Sequence, residues 1–326
     1  MWRKMSSDWP VYIIFATLLV VILVKSFTSD DSKVQSAAVA PVDTLWHGPS
    51  LMMDRILTGP EREEVVYGYN LISNTAYYLG PQGTVAQISN GMNCQNCHLD
   101  GGRRAWGNNY GAVSSAYPKF RERSGTYESI YKRVGDCFER SLNGTAPDSS
   151  SREFLAIQAY IKWLGKDVAK GEKPAGSGIE KLPYLKRAAD PQKGLAVYLA
   201  NCKSCHGENG EGQMDGNRFV YPPLWGPHSY NDGAGLFRLS NFAGFVKGNM
   251  PFNIASHAKP TLTSEEAWDV AAYVNSQPRP HKDQTHDWPD VAKKPIDFAF
   301  GPYADGFDEK AHKYGPYQPI ADVRKK

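Results

Sequence analysis

The pattern C-x-x-C-H occurs twice in this chain of 326 residues, and it constrains the fold more than any other feature. The copies are CQNCH at 94–98 and CKSCH at 202–206. Two thiols three positions apart can each form a thioether to a vinyl group of one porphyrin, and the histidine that follows then reaches the iron. Because the copies use four of the five cysteines, the sequence predicts two covalently bound haem c groups. The attachment residues are Cys94, Cys97, Cys202 and Cys205, and the iron ligands beside them are His98 and His206.

The composition describes a folded protein with room for about two domains. Hydrophobic residues make up 41% of the chain and charged residues 22%, which is typical of globular proteins and not of disordered ones. The formal net charge is only +3, and the sequence contains no basic stripe with interleaved aromatic residues. It therefore does not indicate a nucleic-acid partner.

An apolar run, WPVYIIFATLLVVILV at 9–24, follows Arg3 and Lys4 near the N-terminus. Such a run is either a signal peptide or an uncleaved anchor. A small-residue cleavage site at 38–40 lies well beyond the run, which favours an anchor in the membrane, and the preceding positive charges place the N-terminus inside. We therefore expect a protein on the periplasmic side of the inner membrane, held by its N-terminal segment, or secreted into the periplasm if that segment is cleaved.

Each haem motif is followed by a run with helical periodicity, so the chain contains an internal repeat. The runs lie at 151–166 and 263–278, and in the second Thr263 and Glu266 predict a capping box. A further helical pattern at 190–201 precedes the second motif. The apolar positions at helical spacing are Phe154, Ile157, Ile161 and Leu164 in the first run and Trp268, Ala271 and Val274 in the second.

The order of helix, haem motif, loop and closing helix matches the plan of the small all-α cytochromes c. From that plan we predict an all-α fold of two tandem cytochrome c domains, each around one covalent haem, with a boundary in the Gly-, Pro- and Lys-rich stretch at 169–183. The C-terminal part combines many prolines with many aromatic residues and is expected to form an ordered, irregular strap. The predicted segments are a membrane anchor or signal segment at 1–26, a linker at 27–44, domain 1 at 45–175, domain 2 at 176–282 and a C-terminal extension at 283–326.

The ligand on the far side of each iron sets its potential, which a thiolate lowers and a thioether raises. For the second haem, Met250 stands in the sequence KGNMPF, and a methionine in such a loop is the usual sixth ligand in small cytochromes c. Met214 lies too close to His206 in sequence to reach the opposite face. Lys247 and His228 remain rival ligands, as does a Met250 that only fills the core.

No methionine occupies the matching position after the first motif, but the fifth cysteine, Cys137, does. The segment TYESIYKRVGDCFERSLNG at 126–144 predicts a helix that runs through Ser141, with Arg133, Cys137 and Ser141 in line on one face. A neighbouring guanidinium favours the thiolate, the form of cysteine that binds iron or attacks sulfur. Cys137 is therefore the predicted distal ligand of the first iron. The alternatives are that His47, Met52 or Met53 binds the first iron, or that Cys137 is a buried cysteine that binds nothing.

Four stretches resemble the thiosulfate dehydrogenase family of dihaem cytochromes c, over the chain from about residue 45 to the end. They are GMNCQNCHLDGG at 91–102, DCFERSLNG at 136–144, NMP at 249–251, and FGPYADGF with HKYGPYQP within 300–319. All c-type cytochromes share the haem motifs, whereas the cysteine segment and the tail are far more specific. The resemblance implies that two thiosulfates are oxidised to tetrathionate and two electrons pass onward, a reaction that some members run in reverse as tetrathionate reductases.

The resemblance also implies roles for individual residues. The first haem would be the active site, with Arg133 and Ser141 in the substrate pocket, and the second would relay electrons to an acceptor. That acceptor would be soluble or membrane-bound, either a cytochrome c or a quinone-linked protein. The implied axial ligands are His98 and Cys137 for the first iron, and His206 and Met250 for the second. Some members carry a lysine before the methionine, but this chain has Asn249 there, so ligand exchange by that route is not expected.

Three other functions are compatible with the haem motifs. A non-catalytic dihaem electron-transfer cytochrome would have no anion pocket, and Arg133 beside Cys137 disfavours it. A dihaem peroxidase would need an open iron site with acid–base groups for peroxide. A cytochrome subunit of another sulfur-oxidising complex would carry a persulfide on the cysteine and would purify with partners.

Overall fold

Two hydrophobic clusters, each closed by a pair of crossing helices, organise the computed structural model of this chain. The structure describes residues 45–51 and 57–325. The first cluster is built from residues 57–164, and the second from residues 182–320 together with Leu99. Both clusters lie within one compact unit that begins at Leu45.

The described part is rich in helices and contains two short antiparallel hairpins that the sequence did not predict. The hairpins pair Lys119–Arg121 with Thr126–Glu128 and Gln213–Asp215 with Arg218–Tyr221. The α-helices are Gly59–Ser73, Thr75–Leu79, Leu99–Gly102, Val113–Ala116, Ile130–Arg140, Arg152–Leu164, Pro191–Asn201, Lys203–His206, Leu239–Asn249, Ser264–Ser276, Glu309–Tyr314 and Tyr317–Val323, and the 3₁₀ turns are Cys94–Asn96, Gly235–Phe237 and Val291–Lys293.

The predicted helices after the haem motifs are confirmed. Helix Arg152–Leu164 buries all four of its predicted apolar positions. In helix Ser264–Ser276 the predicted capping box forms, since the Glu266 carboxylate accepts from the backbone N–H of Thr263 at 2.8 Å and the Thr263 hydroxyl accepts from the backbone N–H of Glu266 at 3.2 Å. The segment predicted at 190–201 forms helix Pro191–Asn201, which starts after the N-cap Asp190.

A glycine allows each helix pair to cross closely. At Gly68 a Cβ would overlap the backbone carbonyl of Ala156, and at Gly194 a Cβ would overlap the carbonyl of Asp269. The nearest side chain is also the same in both pairs. A Cβ at Gly68 would lie 2.8 Å from the Cβ of Tyr160, and a Cβ at Gly194 would lie 2.8 Å from the Cβ of Tyr273. The two halves therefore repeat the same crossing, in which the backbones approach within the space of a missing side chain.

We predict that Gly194→Ala lowers the free energy of unfolding by about 1–3 kcal/mol, although alanine is the better helix former. The added methyl group has to push the helix Ser264–Ser276 away. The urea midpoint of the haem-loaded protein measures the effect, with Lys193→Ala as the control because Lys193 is exposed on the same helix. Equal midpoints for the two variants would show that the crossing tolerates a side chain.

The C-terminal extension is ordered, as predicted, but it is less irregular than expected. Asp308 caps helix Glu309–Tyr314 through the backbone N–H of Ala311, and a second helix, Tyr317–Val323, follows Pro316. His312 is fully buried and hydrogen-bonds the Ile296 carbonyl at 2.8 Å and the Asp305 carboxylate at 2.9 Å. Tyr317 and Ile320 belong to the second hydrophobic cluster, so the extension is part of the core packing.

The predicted location, anchored on the periplasmic side of the inner membrane, is corrected by the structure. Within residues 45–51 and 57–325, no helix has the length and apolar character needed to cross a membrane. Helix Gly59–Ser73 has 15 residues, whereas a membrane span needs about 20. The apolar run at 9–24 and the linker at 27–44 lie outside the described residues.

Candidate haem and substrate site

The first haem motif lines a largely apolar cavity that is open on one side. Cys94, Cys97 and His98 lie on its wall, and helix Ile130–Arg140 contributes Cys137. All five cysteines of the chain are free of disulfides. A flat, apolar macrocycle bound through two thioethers requires such a cavity with two free thiols in it, so the residues present fit a haem.

His98 is oriented for metal binding. Its Nδ1 lies 2.5 Å from the carbonyl oxygen of Asn108, to which it donates, and its ring stacks on Tyr110 with the ring centroids 4.4 Å apart. This hydrogen bond leaves Nε2 as the nitrogen with a lone pair. Burial lowers the pKa of His98 to about 4, so the imidazole is neutral at neutral pH, the state that binds iron.

Three thiols of the motifs, those of Cys94, Cys97 and Cys202, are protonated at neutral pH before a haem is attached. Burial raises the pKa of Cys94 to about 11, and it raises the pKa of Cys97 and of Cys202 to about 12. A charged Cys137 nearby raises the first two pKa values further. Cys137 therefore lies close to the attachment cysteines in space, although about forty residues separate it from them in the chain.

The second motif repeats the histidine geometry of the first. The Nδ1 of His206 donates to the carbonyl oxygen of Pro222 at 2.8 Å, and burial lowers the pKa of His206. Met250 directly follows helix Leu239–Asn249 and packs against the second hydrophobic cluster, as does Cys202. The preceding residue, Asn249, is buried, and its side-chain amide donates to Trp106 O at 3.2 Å and to Phe245 O at 3.0 Å.

The helix predicted from residue 126 begins only at Ile130, because residues 126–128 pair with a neighbouring strand and Ser129 caps the helix. Its predicted face is confirmed, since Arg133, Cys137 and the C-cap residue Ser141 all line the first cavity. The Cys137 thiolate is the main cause that raises the pKa of Arg133, so the guanidinium and the sulfur are close electrostatic partners. Among the described residues, no carboxylate lies within salt-bridge distance of Arg133. Its N–H donors are therefore available to an anion.

A second, more polar cavity adjoins the first, and His98, Asn108 and the three residues of this helix face line both. Five arginines line the second cavity. Four of them pair with a carboxylate, whereas Arg133 does not. The pairs are Arg121 with Glu128, Arg123 with Asp136, Arg140 with Asp287, and Arg238 with Asp297.

Comparison with known proteins identifies the family. A thiosulfate dehydrogenase of Allochromatium vinosum is 40% identical over 67% of this chain and 79% of that protein, and one of Psychrobacter arcticus is 36% identical over 78% and 76%. The chain belongs to the thiosulfate dehydrogenase family. The Cytochrome c family matches residues 191–278, which shows a cytochrome c domain and implies covalent haem c.

A solved structure of this family has a similar fold. It is the as-isolated form of thiosulfate dehydrogenase (TsdBA) from Marichromatium purpuratum, which superposes with a TM-score of 0.66 at 34% identity over 73% of this chain. The chain spans half the length of that protein. The helix-rich architecture predicted from the sequence is therefore shown.

Several rival ligands lie elsewhere in the structure. His47 and His228 are exposed, and His47 lines neither cavity. The ammonium group of Lys247 donates to the Ser264 hydroxyl at 2.9 Å. Met52 and Met53 lie outside the described residues.

The sequence did not reveal most of the second cavity. Arg123, Arg238 and Trp288 line it, and none was singled out. One local signal was Asp136, which stands four residues after Lys132 on the helix and pairs with both Lys132 and Arg123. Another was Arg140, which lies one helical turn after Cys137. The other contributors are far apart in the chain, so no spacing could have indicated them.

Proposed function

We propose that this protein is a dihaem c-type cytochrome that oxidises two thiosulfates to tetrathionate and passes two electrons onward, a reaction that can also run in reverse. The observation that carries the proposal is the position of Cys137 and Arg133 on the wall shared by the haem-motif cavity and the arginine-lined cavity. A non-catalytic electron carrier has no use for such an anion-binding wall. Membership of the thiosulfate dehydrogenase family supports the same reaction.

Two haems are assigned to two tandem domains, 45–175 and 176–282, followed by the extension at 283–326. The repeated helix crossing at Gly68 and Gly194 supports this division. The attachment residues are Cys94 and Cys97 for the first haem and Cys202 and Cys205 for the second. His98 and Cys137 would bind the iron of the first haem, and His206 and Met250 would bind the iron of the second.

Each bound haem would accept one electron, so two haems would accept the two electrons that are released for each tetrathionate formed. The chain's own residues handle the sulfur chemistry. Arg133 and Ser141 hold the sulfonate oxygens of a thiosulfate, and the Cys137 thiolate forms a bond to its outer sulfur. Forming this Cys137 thiosulfonate from two anionic sulfurs releases two electrons.

A second thiosulfate completes the reaction. Its outer sulfur attacks the outer sulfur of the Cys137 adduct, the bond to the cysteine breaks, and tetrathionate leaves while the thiolate is restored. This step exchanges one sulfur–sulfur bond for another and releases no electrons. In the reverse direction the thiolate attacks the central bond of tetrathionate and a thiosulfate leaves. The electrons pass to a cytochrome c or a quinone-linked acceptor.

Turnover of the haem-loaded protein with different substrates tests this function. With an artificial one-electron acceptor, we expect thiosulfate to be consumed at two molecules per tetrathionate formed. We expect no comparable turnover of hydrogen peroxide with a reduced electron donor. Peroxide turnover without thiosulfate turnover would indicate a peroxidase, and no turnover of either would indicate an electron carrier.

A further inference from the structure

One side of the second cavity is lined by residues that have no role in the proposed haem binding or in forming the Cys137 adduct. This wall contains Arg140, Arg238, Asn241 and Trp288, none of which lines the first cavity. The proposed reaction brings two dianions together, while among the described residues Arg133 is the only arginine that lines the first cavity. A second group of cationic donors is therefore needed within reach of Cys137.

Arg140 is the best placed of these donors. It follows Cys137 by three positions, about one turn of the same helix, and it is 8% exposed. Its two terminal nitrogens donate to the two carboxylate oxygens of Asp287, both at 2.8 Å. Its Nε has no hydrogen-bond partner among the described residues, and neither has the indole nitrogen of Trp288. A buried N–H without a partner costs free energy unless a ligand accepts from it.

Asp287 fixes the direction of this guanidinium. A bidentate pair between arginine and a carboxylate holds the whole plane of the side chain. One terminal nitrogen also donates to the carbonyl oxygen of Gly233 at 3.3 Å. Arg140 therefore cannot rotate away from the cavity while the C-terminal extension is in place.

Like charges are crowded around this wall. Burial, and then the charge of Arg140, lower the pKa of Arg123. The Asp136 carboxylate opposes this shift, and Arg133 adds to it. Three guanidinium groups therefore lie within electrostatic reach of one another beside two carboxylates, Asp136 and Asp287. The positive charge that remains at low dielectric is unfavourable, and a bound anion offsets it. The wall is thus suited to a small oxyanion.

We propose that this wall is a second thiosulfate subsite, in which Arg140 anchors the sulfonate and Asp287 is the positioning residue. The inference rests on the proposed function and assigns the place of its second substrate molecule. The second thiosulfate binds here with its outer sulfur directed to the Cys137 adduct. It forms the new sulfur–sulfur bond as the Cys137 sulfur leaves as thiolate, and the product tetrathionate spans both subsites.

Steady-state kinetics of the haem-loaded protein with thiosulfate and an artificial acceptor test the subsite. Arg140→Gln should raise the half-saturating thiosulfate concentration by about tenfold or more, the effect expected from losing a charged hydrogen bond. Arg140→Lys keeps the charge but not the bidentate fork, so it should recover part of the loss. Asp287→Asn should also raise the half-saturating thiosulfate concentration, because it removes the carboxylate that holds Arg140 in place. The haem spectra and midpoint potentials should stay those of the wild type, because no proposed iron ligand changes.

Asp269→Asn is the matched control. Asp269 is buried and, like Asp287, accepts from an arginine in a bidentate pair, Arg187 at 2.7 and 2.8 Å, but neither Asp269 nor Arg187 lines either of the two cavities described above. The Asp269→Asn variant should leave the half-saturating thiosulfate concentration unchanged. A wild-type value in Arg140→Gln, or an equal rise in Asp269→Asn, would overturn the subsite while leaving the proposed function intact. Failure of the wild type to turn over thiosulfate would instead refute the proposed function, and the subsite with it.

Discussion

Cys137→Gly is expected to stop tetrathionate formation, with a loss of about a thousandfold or more in rate. The reason is that the thiolate is both the proposed iron ligand and the atom that bonds to the substrate sulfur. The four attachment cysteines are untouched, so both haems should still attach. The measurements are tetrathionate produced per protein, the haem content, and the absorption spectrum, in which only the first haem should change.

Two further variants separate the roles of this sulfur. Cys137→Ala avoids the helix penalty of glycine, about 1 kcal/mol, and should be equally inactive. Cys137→Met offers iron a thioether but no nucleophile, so it should restore a six-coordinate spectrum without restoring turnover. Activity at the wild-type level in either the glycine or the alanine variant would show that Cys137 takes no part in the reaction.

Arg133→Ala is expected to lower kcat/KM for thiosulfate by about a hundredfold or more, because it removes the charged donors from the wall that faces Cys137. Within the described residues this guanidinium has no carboxylate in salt-bridge range, and the Cys137 thiolate is the largest cause that raises its pKa. The variant should therefore have a lower kcat/KM for thiosulfate but an unchanged free energy of unfolding. Kinetics together with the haem spectra check this, and the spectra should remain close to wild type.

The control for this variant is Arg152→Ala. Arg152 pairs with Glu64 at 3.1 Å on the surface with 64% of its side chain exposed, and such pairs contribute little. Its kinetics should match those of the wild type. If Arg133→Ala instead altered the spectrum of the first haem strongly, the arginine would have a structural role at the iron.

Local patterns in the sequence predicted much of this protein. The two haem motifs, the helix around Cys137 and the capping box of Thr263 and Glu266 all depend on residues within a few positions of one another. Helix geometry converts such spacings directly into a shared face. For that reason the sequence predicts Arg133, Cys137 and Ser141 on one helix face, whereas the N-terminal apolar run predicts a location that the described helices do not support.

The second cavity was decided by tertiary structure alone. Arg140 meets Asp287 across 147 positions of sequence, and Arg238 meets Asp297 across 59. Whether an arginine faces solvent, a carboxylate or a substrate depends on which distant segment packs against it, and no periodicity encodes that choice. Local spacing in the sequence thus determined which residues share the helix face of Cys137. Tertiary packing alone brought the carboxylates of Asp287 and Asp297 to Arg140 and Arg238, because residues so far apart in the chain meet only when the fold is complete.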